Sequence, residues 1–220
     1  MNLTFEEHGA ARRYGAAAPF LDALHAVAAD LPADRAGIRL HGIAALADLL
    51  GPHALGSEAG RLLGPKARPV RAILFDKTPA TNWGLGWHQD RTIAVRKRVD
   101  VPGFGPWSIK SGMIHVEPPF AVIERMVTIR VHLDAVPDDN APLLIAPASH
   151  RLGRIAEADL ASVVEKCGAA TCLAEPGDIW VYATPIVHAS AASDRAGHRR
   201  VFQIDYSADS LPAGLLWLGV

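Results

Sequence analysis

The tetrapeptide Trp87-His88-Gln89-Asp90, with a second histidine far downstream at His188, constrains this chain more than any other feature. If the tetrapeptide is extended, the two-residue period of a strand turns His88 and Asp90 to the same face. An imidazole from a distant strand, His188, then completes two histidines and one carboxylate around a metal ion. Such a set leaves coordination positions open opposite the protein ligands, the arrangement of facial-triad non-haem Fe(II) sites. A metal, a fold that joins distant strands and an oxidative reaction type are therefore expected together.

The texture along the chain agrees with a mainly β fold flanked by helices. Ala16 to Ala29 places Phe20, Leu21, Leu24 and Val27 at helical spacing, with Pro32 beyond. A second short helix is predicted over Ile43 to Leu50, ended by Gly51-Pro52. From Pro69 the chain changes to short β-rich runs broken by Gly, Pro and Asp. They are predicted at Val70 to Phe75, Met126 to Leu133, Leu143 to Ile145, Ile179 to Tyr182 and Arg200 to Tyr206, with one more helix over Asp159 to Lys166. In Met126 to Leu133 the apolar Val127, Ile129, Val131 and Leu133 alternate with Thr128, Arg130 and His132. Helices first, then many short strands, suggests an antiparallel jelly roll or barrel with helices packed outside. The expectation is one domain over residues 1–220, with N-terminal helices over about 1–68 and a barrel over about 69–210. The stretch Asp100 to Glu124, rich in Gly and Pro, reads as irregular and is where a substrate-covering loop is expected.

Half the chain is apolar, a fifth is charged, and the formal net charge is −1. That balance excludes a disordered chain and a basic nucleic-acid-binding surface. The two cysteines, Cys167 and Cys172, make neither a disulfide framework nor a zinc site. The N-terminus lacks the basic start and apolar stretch of a signal peptide, and no apolar run approaches the roughly 20 residues that span a bilayer. A cytoplasmic protein with no membrane or nucleic-acid partner is expected. Nothing in the chain specifies an oligomeric state.

With these residues in view, the chain resembles the phytanoyl-CoA dioxygenase family, Fe(II)- and 2-oxoglutarate-dependent oxygenases on a double-stranded β-helix of the cupin-like barrel type. Trp87-His88-Gln89-Asp90 resembles its first metal motif. Asp134 to His150, ending Ala146-Pro147-Ala148-Ser149-His150, resembles its acidic turn and Pro-x-Ser-His segment. Glu175-Pro176-Gly177-Asp178 resembles the turn before the strand to the second histidine. His188-Ala189-Ser190, followed by His198-Arg199-Arg200, resembles the distal histidine and the cosubstrate arginine. The resemblance covers roughly Arg71 to Ser207. It departs at Asn140-Ala141-Pro142, where relatives commonly carry Asn-Gly, and at Arg130, where some carry a bulky aromatic near the cosubstrate.

The resemblance implies that His88, Asp90 and His188 bind Fe(II), and that the site uses 2-oxoglutarate and dioxygen to hydroxylate an unactivated C–H of a small molecule. Asp90 points the same way, because the related halogenases lack this carboxylate. Arg199 is implied as the partner of the distal carboxylate of 2-oxoglutarate, for which a guanidinium offers a planar, charged fork. Arg200 is the alternative, and Ser190 a second donor. Lys77 can approach the cosubstrate, although a solvated lysine is the plainer reading. Gln89 points away from the face of its neighbours, toward substrate or a loop. Trp107, with Trp83 and Trp87, can wall a pocket. His115 and Glu117 alternate with Ile114 and Val116 as a half-buried strand, with His115 a candidate pocket residue. Arg130 completes the pocket candidates, and His132 is not needed as a ligand. The run Arg96-Lys97-Arg98 is a solvated loop or an attractor of an anionic substrate.

Two readings compete. One is a cupin-type metal-dependent isomerase or hydrolase. Such barrels usually supply His-x-His and a separate Glu, and a hydrolase has no need of Arg199. The other is a non-catalytic metal- or ligand-binding module on the same barrel, from which cosubstrate-dependent succinate formation would separate the oxygenase.

Overall fold

A computed structural model of the chain describes residues 3–193, 195 and 197–220. In chain order the strands are β1 (Ala10–Arg13), β2 (Gly37–Leu40), β3 (Arg68–Lys77), β4 (Leu85–His88), β5 (Ile93–Val95), β6 (Trp107–Lys110) and β7 (Met113–Val116). They continue with β8 (Met126–His132), β9 (Leu143–Ile145), β10 (Ala170–Cys172), β11 (Ile179–Ala183), β12 (His188–Ser190) and β13 (Arg199–Ser207). A six-stranded sheet has the order β1-β11-β8-β13-β3-β2, and a four-stranded sheet the order β10-β9-β12-β4. Every pairing in them is antiparallel. The double-stranded β-helix is built from these two sheets. A smaller sheet, β5-β7-β6, brings Lys110 of β6, with Thr92 just before β5, to the edge of a cavity inside the barrel.

The alternation in β8 explains how the layers stack. All seven of its residues are buried. Val127, Ile129 and Val131 join Leu24, Leu46, Leu50 and Leu55 in one apolar cluster beneath the N-terminal helices Leu21–Ala29 and Ala44–Leu49. Thr128, Arg130 and His132 face the other way, into the barrel. A period-two strand usually has one solvated face. Here helices cover the apolar face and the second sheet encloses the polar one. Neighbouring strands repeat the pattern: Ala72 and Leu74 of β3, and Phe202 and Ile204 of β13, lie under the helices. Arg71, Lys77, Arg199 and Gln203 point inward.

Two segments differ from the sequence expectation. The first 68 residues are not helical alone: β1 and β2 extend the two edges of the main sheet, and a further helix runs over Gly56–Leu63. Four-residue strands carry too little pattern to be read alone, and their register comes from β11 and β3. The helix begins at a glycine because a Cβ at Gly56 would lie 2.4 Å from the carbonyl oxygen of Leu50. The stretch Asp100 to Glu124, expected to be irregular, contains β6, β7 and the short helix Phe120–Glu124. Among the described residues, no helix is long and apolar enough to cross a membrane.

Ile129, fully buried between sheet and helices, tests this layering. Ile129→Ala should cost about 2–5 kcal/mol in a denaturant titration, as a truncation at a site unable to collapse; a loss within experimental error would contradict the packing.

Candidate functional site

Strand β12 pairs with β4 so that His188 stands opposite His88, their ring centroids 4.2 Å apart. Asp90 follows two residues after His88. The candidate ligand atoms of His88, Asp90 and His188 all lie within 4.8 Å of one another, close enough to converge on one ion. Each ring is aimed by its own backbone. His88 Nδ1 is 2.8 Å from the carbonyl oxygen of Gly86, and His188 Nδ1 is 2.9 Å from that of Ile186. A carbonyl oxygen can only accept, so Nδ1 carries the proton and Nε2 presents its lone pair. Burial, with His88 beside it, holds the His188 pKa down to about 4, so the ring is neutral at physiological pH.

Asp90 is held by Arg71, whose Nη2 donates to Oδ2 at 3.0 Å. The same guanidinium donates through Nε to Asp205 at 2.5 Å, and Asp205 also accepts from Thr128 Oγ1 at 2.9 Å. Burial alone would raise the Asp90 pKa; Arg71 first, then His188 and His88, bring it down to about 2. Asp90 is therefore an anion ready for a cation.

A cavity of about 230 Å³ opens beside this triad. Arg199 is 1 % exposed, and its Nε and Nη2 have no hydrogen-bond partner. Burial and Arg130 lower its pKa to about 9, which leaves it charged at neutral pH. Lys77, opposite Arg199 in the β3–β13 register, is 2 % exposed. It donates to Ser190 Oγ at 2.9 Å and to the carbonyl of Ala191. The plainer expectation of a solvated lysine is thus overturned: β3 turns Lys77 inward with Arg71, and burial, then Arg199 and Arg130, push its pKa down to about 7. A buried guanidinium with idle donors beside a lysine is an electrostatic demand for an anion. The donor set fits a divalent metal, through two imidazoles and a carboxylate, beside an anion held at Arg199 and Lys77.

The other sequence candidates fall in different places. Arg130 lines the cavity, as do Trp83 and Phe75, whose rings are 6.0 Å apart. Trp87 packs with Ile155 and Val187, and Trp107 with the cluster around Val95 and Val116; neither lines the cavity. His115 is fully buried, its Nδ1 3.0 Å from the carbonyl of Met113, and it too is outside the cavity lining. Gln89 is buried behind the triad. It donates to the carbonyls of Gly153 and Pro185 and accepts from the Ile155 amide, which ties the metal motif to the loop before His188. Arg200, the alternative cosubstrate partner, is held by Asp134 through Nε at 3.0 Å and Nη2 at 2.7 Å. Arg96, Lys97 and Arg98 are exposed, and Arg98 pairs with Asp100. Sequence reasoning missed Arg71, Arg39 and Lys110. A charged residue inside the apolar run Val70 to Phe75 was the available signal for Arg71, because such residues are rarely buried without a partner.

The fold and this site define a class: a double-stranded β-helix with a two-histidine, one-carboxylate centre beside a basic cavity. Residues 39–201, most of the chain, match the family model described as phytanoyl-CoA dioxygenase (PhyH), and the chain belongs to that family. Among solved structures it is similar to EctD from S. alaskensis in its apoform, at 18% identity and a TM-score of 0.65, covering 92% of this chain and 74% of that one. It is also similar to SnoN, a non-haem α-ketoglutarate-dependent epimerase from nogalamycin biosynthesis, at 14% identity and a TM-score of 0.64, covering 96% and 87%. HygX from Streptomyces hygroscopicus with nickel and 2-oxoglutarate bound follows at 13% identity and a TM-score of 0.61, covering 92% and 84%. No curated protein matches the chain by sequence.

Arg71 offers a direct test. Arg71→Met should destabilise the protein by about 3–5 kcal/mol at pH 7, since it leaves Asp90 and Asp205 buried without their shared cation. The deficit should shrink as pH falls, because protonation removes the carboxylate charges that lost their partner. Denaturant titrations of both proteins at pH 7 and pH 4.5 measure it; a pH-independent deficit would contradict the assignment.

Proposed function

We propose that this chain is an Fe(II)- and 2-oxoglutarate-dependent dioxygenase that hydroxylates an unactivated C–H bond of a small molecule. The observation that carries this reading is the convergence of His88, Asp90 and His188 beside a buried, unpaired Arg199. When bound, Fe(II) and 2-oxoglutarate supply the oxidising chemistry, with dioxygen as oxidant and succinate and carbon dioxide as coproducts.

The chain's own residues do the positioning. His88 and His188 present Nε2 with their tautomers fixed by Gly86 and Ile186. Asp90 supplies the one anionic ligand, and Arg71 keeps it ionised and oriented. Arg199, with Lys77 and Ser190, would hold the distal carboxylate of 2-oxoglutarate. The family membership and the retained Asp90 support hydroxylation. A cupin-type isomerase or hydrolase would leave the buried cation of Arg199 without a function.

An anaerobic titration of the purified protein with Fe(II) and then 2-oxoglutarate tests the reading by visible absorption. A charge-transfer band that needs both additions is expected, with its loss in His188→Ala. Arg199→Ala should weaken 2-oxoglutarate about tenfold or more while leaving Fe(II) affinity within about twofold, because one charge-assisted contact is removed. A folded, metal-free protein that gives no band would overturn the oxygenase assignment. Hydroxylation is then read as substrate-dependent succinate with a product heavier by one oxygen atom; substrate turnover without that gain would overturn the hydroxylase.

Lys77 gives this binding a pH dependence. With its pKa near 7 beside Arg199 and Arg130, Lys77 is partly neutral in the free pocket, and a bound carboxylate raises its pKa. Binding of 2-oxoglutarate should therefore take up protons above pH 7, and affinity should fall as pH rises from about 7 to 9. Calorimetry in buffers of different ionisation enthalpy should detect the uptake, and Lys77→Met should abolish it.

A further inference from the structure

Six basic side chains line the cavity: Arg39, Arg71, Lys77, Lys110, Arg130 and Arg199. Among the described residues only Arg71 has a carboxylate partner, and it is shared by two, Asp90 and Asp205. Arg199 and Lys77 account for one carboxylate of 2-oxoglutarate. The cationic excess at the other end of the cavity has no such explanation.

That end is built by Arg39 and Lys110. Arg39 sits on the edge strand β2, opposite Ile73 of β3, while Arg199 lies opposite Lys77 on the other side of β3. The four residue steps from Ile73 to Lys77 separate the two backbone positions by about 13 Å along the strand. The two places therefore lie toward opposite ends of the inward face of β3, with Arg199 and Lys77 at one and Arg39 at the other. The inward face of β3 repeats the division: Arg71 at one end, Lys77 at the other, and the apolar Ile73 and Phe75 between them. Arg39 Nε is buried without a hydrogen-bond partner. Lys110 Nζ has one side-chain partner, the neutral Thr92 Oγ1 at 3.2 Å. The two charges are felt together, since burial first, then Arg71 and Arg39, lower the pKa of Lys110. Asp90, whose negative charge is felt by both, is paired with Arg71.

We propose that Arg39 and Lys110 form a second anion subsite, which holds a carboxylate or phosphate group of the substrate while its apolar carbon skeleton lies along Ile73 and Phe75 toward the metal. This inference rests on the oxygenase reading and names the substrate class of that same site. It also relocates the source of an anionic preference: the exposed run Arg96 to Arg98 is not part of the cavity, and the half-buried Arg39 and Lys110 line it.

The test uses protein saturated with Ni(II), an oxygen-stable stand-in for Fe(II), and 2-oxoglutarate, so that the Arg199 end is already filled. Calorimetry then follows two probes, propionate for a carboxylate and methylphosphonate for a phosphate group. At least one should bind saturably, and Arg39→Gln and Lys110→Gln should each weaken it about tenfold, the loss of one charge-assisted contact. Both variants should keep 2-oxoglutarate affinity within about twofold and a wild-type melting temperature, and Lys110→Arg should retain probe binding. The tighter probe identifies the group the substrate carries. No saturable binding of either probe, or equal binding by the wild type and the Arg39→Gln/Lys110→Gln double variant, overturns the subsite alone. Failure of 2-oxoglutarate to bind with Ni(II), visible before any probe is added, overturns the oxygenase reading and this inference with it.

Discussion

The central strands of the six-stranded sheet are buried on both faces, and around β3 and β13 the two burials are chemically opposite, while Trp180 and Tyr182 of β11 keep an apolar contact with Leu143 and Ile145 of the second sheet. The outer face of the six-stranded sheet, Leu74, Ile129, Phe202 and their neighbours, is apolar and closes against the N-terminal helices. Its inner face carries Arg71, Arg130, Arg199 and Gln203 into a space closed by the second sheet. The hydrophobic driving force for folding therefore lies largely on the outside of the barrel, where burying apolar area is uniformly favourable. That division leaves the interior free to hold charges that a conventional core would exclude.

Charges so placed need partners, and Arg71 shows how the chain supplies them. One guanidinium serves two carboxylates: Asp205 in its own sheet and Asp90 on the segment that follows β4. A buried pair of this kind stabilises only when its remaining hydrogen-bonding capacity is met. Thr128 meets part of it at Asp205, and Asp90 keeps an oxygen toward the two imidazoles. Arg71 thus links the main sheet to the metal motif mechanically and electrostatically. On the far side of the same segment, Gln89 uses three backbone hydrogen bonds to fix the strand's path. The carboxylate ligand is gripped from both sides of the chain that carries it.

Where partners are missing, the site is prepared for ligands. Arg199 retains unbonded donors in a buried setting, and Lys77 is driven toward neutrality by burial first and then by its cationic neighbours. Such groups oppose the stability of the ligand-free protein and favour the liganded one, because anion binding relieves like-charge repulsion and desolvation together. The arrangement trades stability for affinity, and it places the trade on rigid strands of the main sheet.

Much of this was legible beforehand. His88-x-Asp90 requires only the two-residue period of an extended chain, and the alternation in Met126 to Leu133 survives any context because side-chain direction in a strand is a local property. The helices Leu21–Ala29, Ala44–Leu49 and Leu160–Cys167 and the strands β3, β8, β9, β11 and β13 follow from the same local periodicities. What local pattern does not contain is which face becomes the interior. The polar side of β8 and the lone arginine in Val70 to Phe75 acquire their meaning only when the second sheet encloses them. The short strands β1 and β2, and with β2 the inward Arg39, depend on hydrogen bonds from β11 and β3, partners far away in the chain. Lys110 enters the cavity from a stretch expected to be irregular. The sequence by itself determined the family and the candidate metal ligands, since these reside in residue identity and spacing. Only the tertiary structure decided which cations are paired, because pairing depends on distance and burial between segments that no local pattern connects.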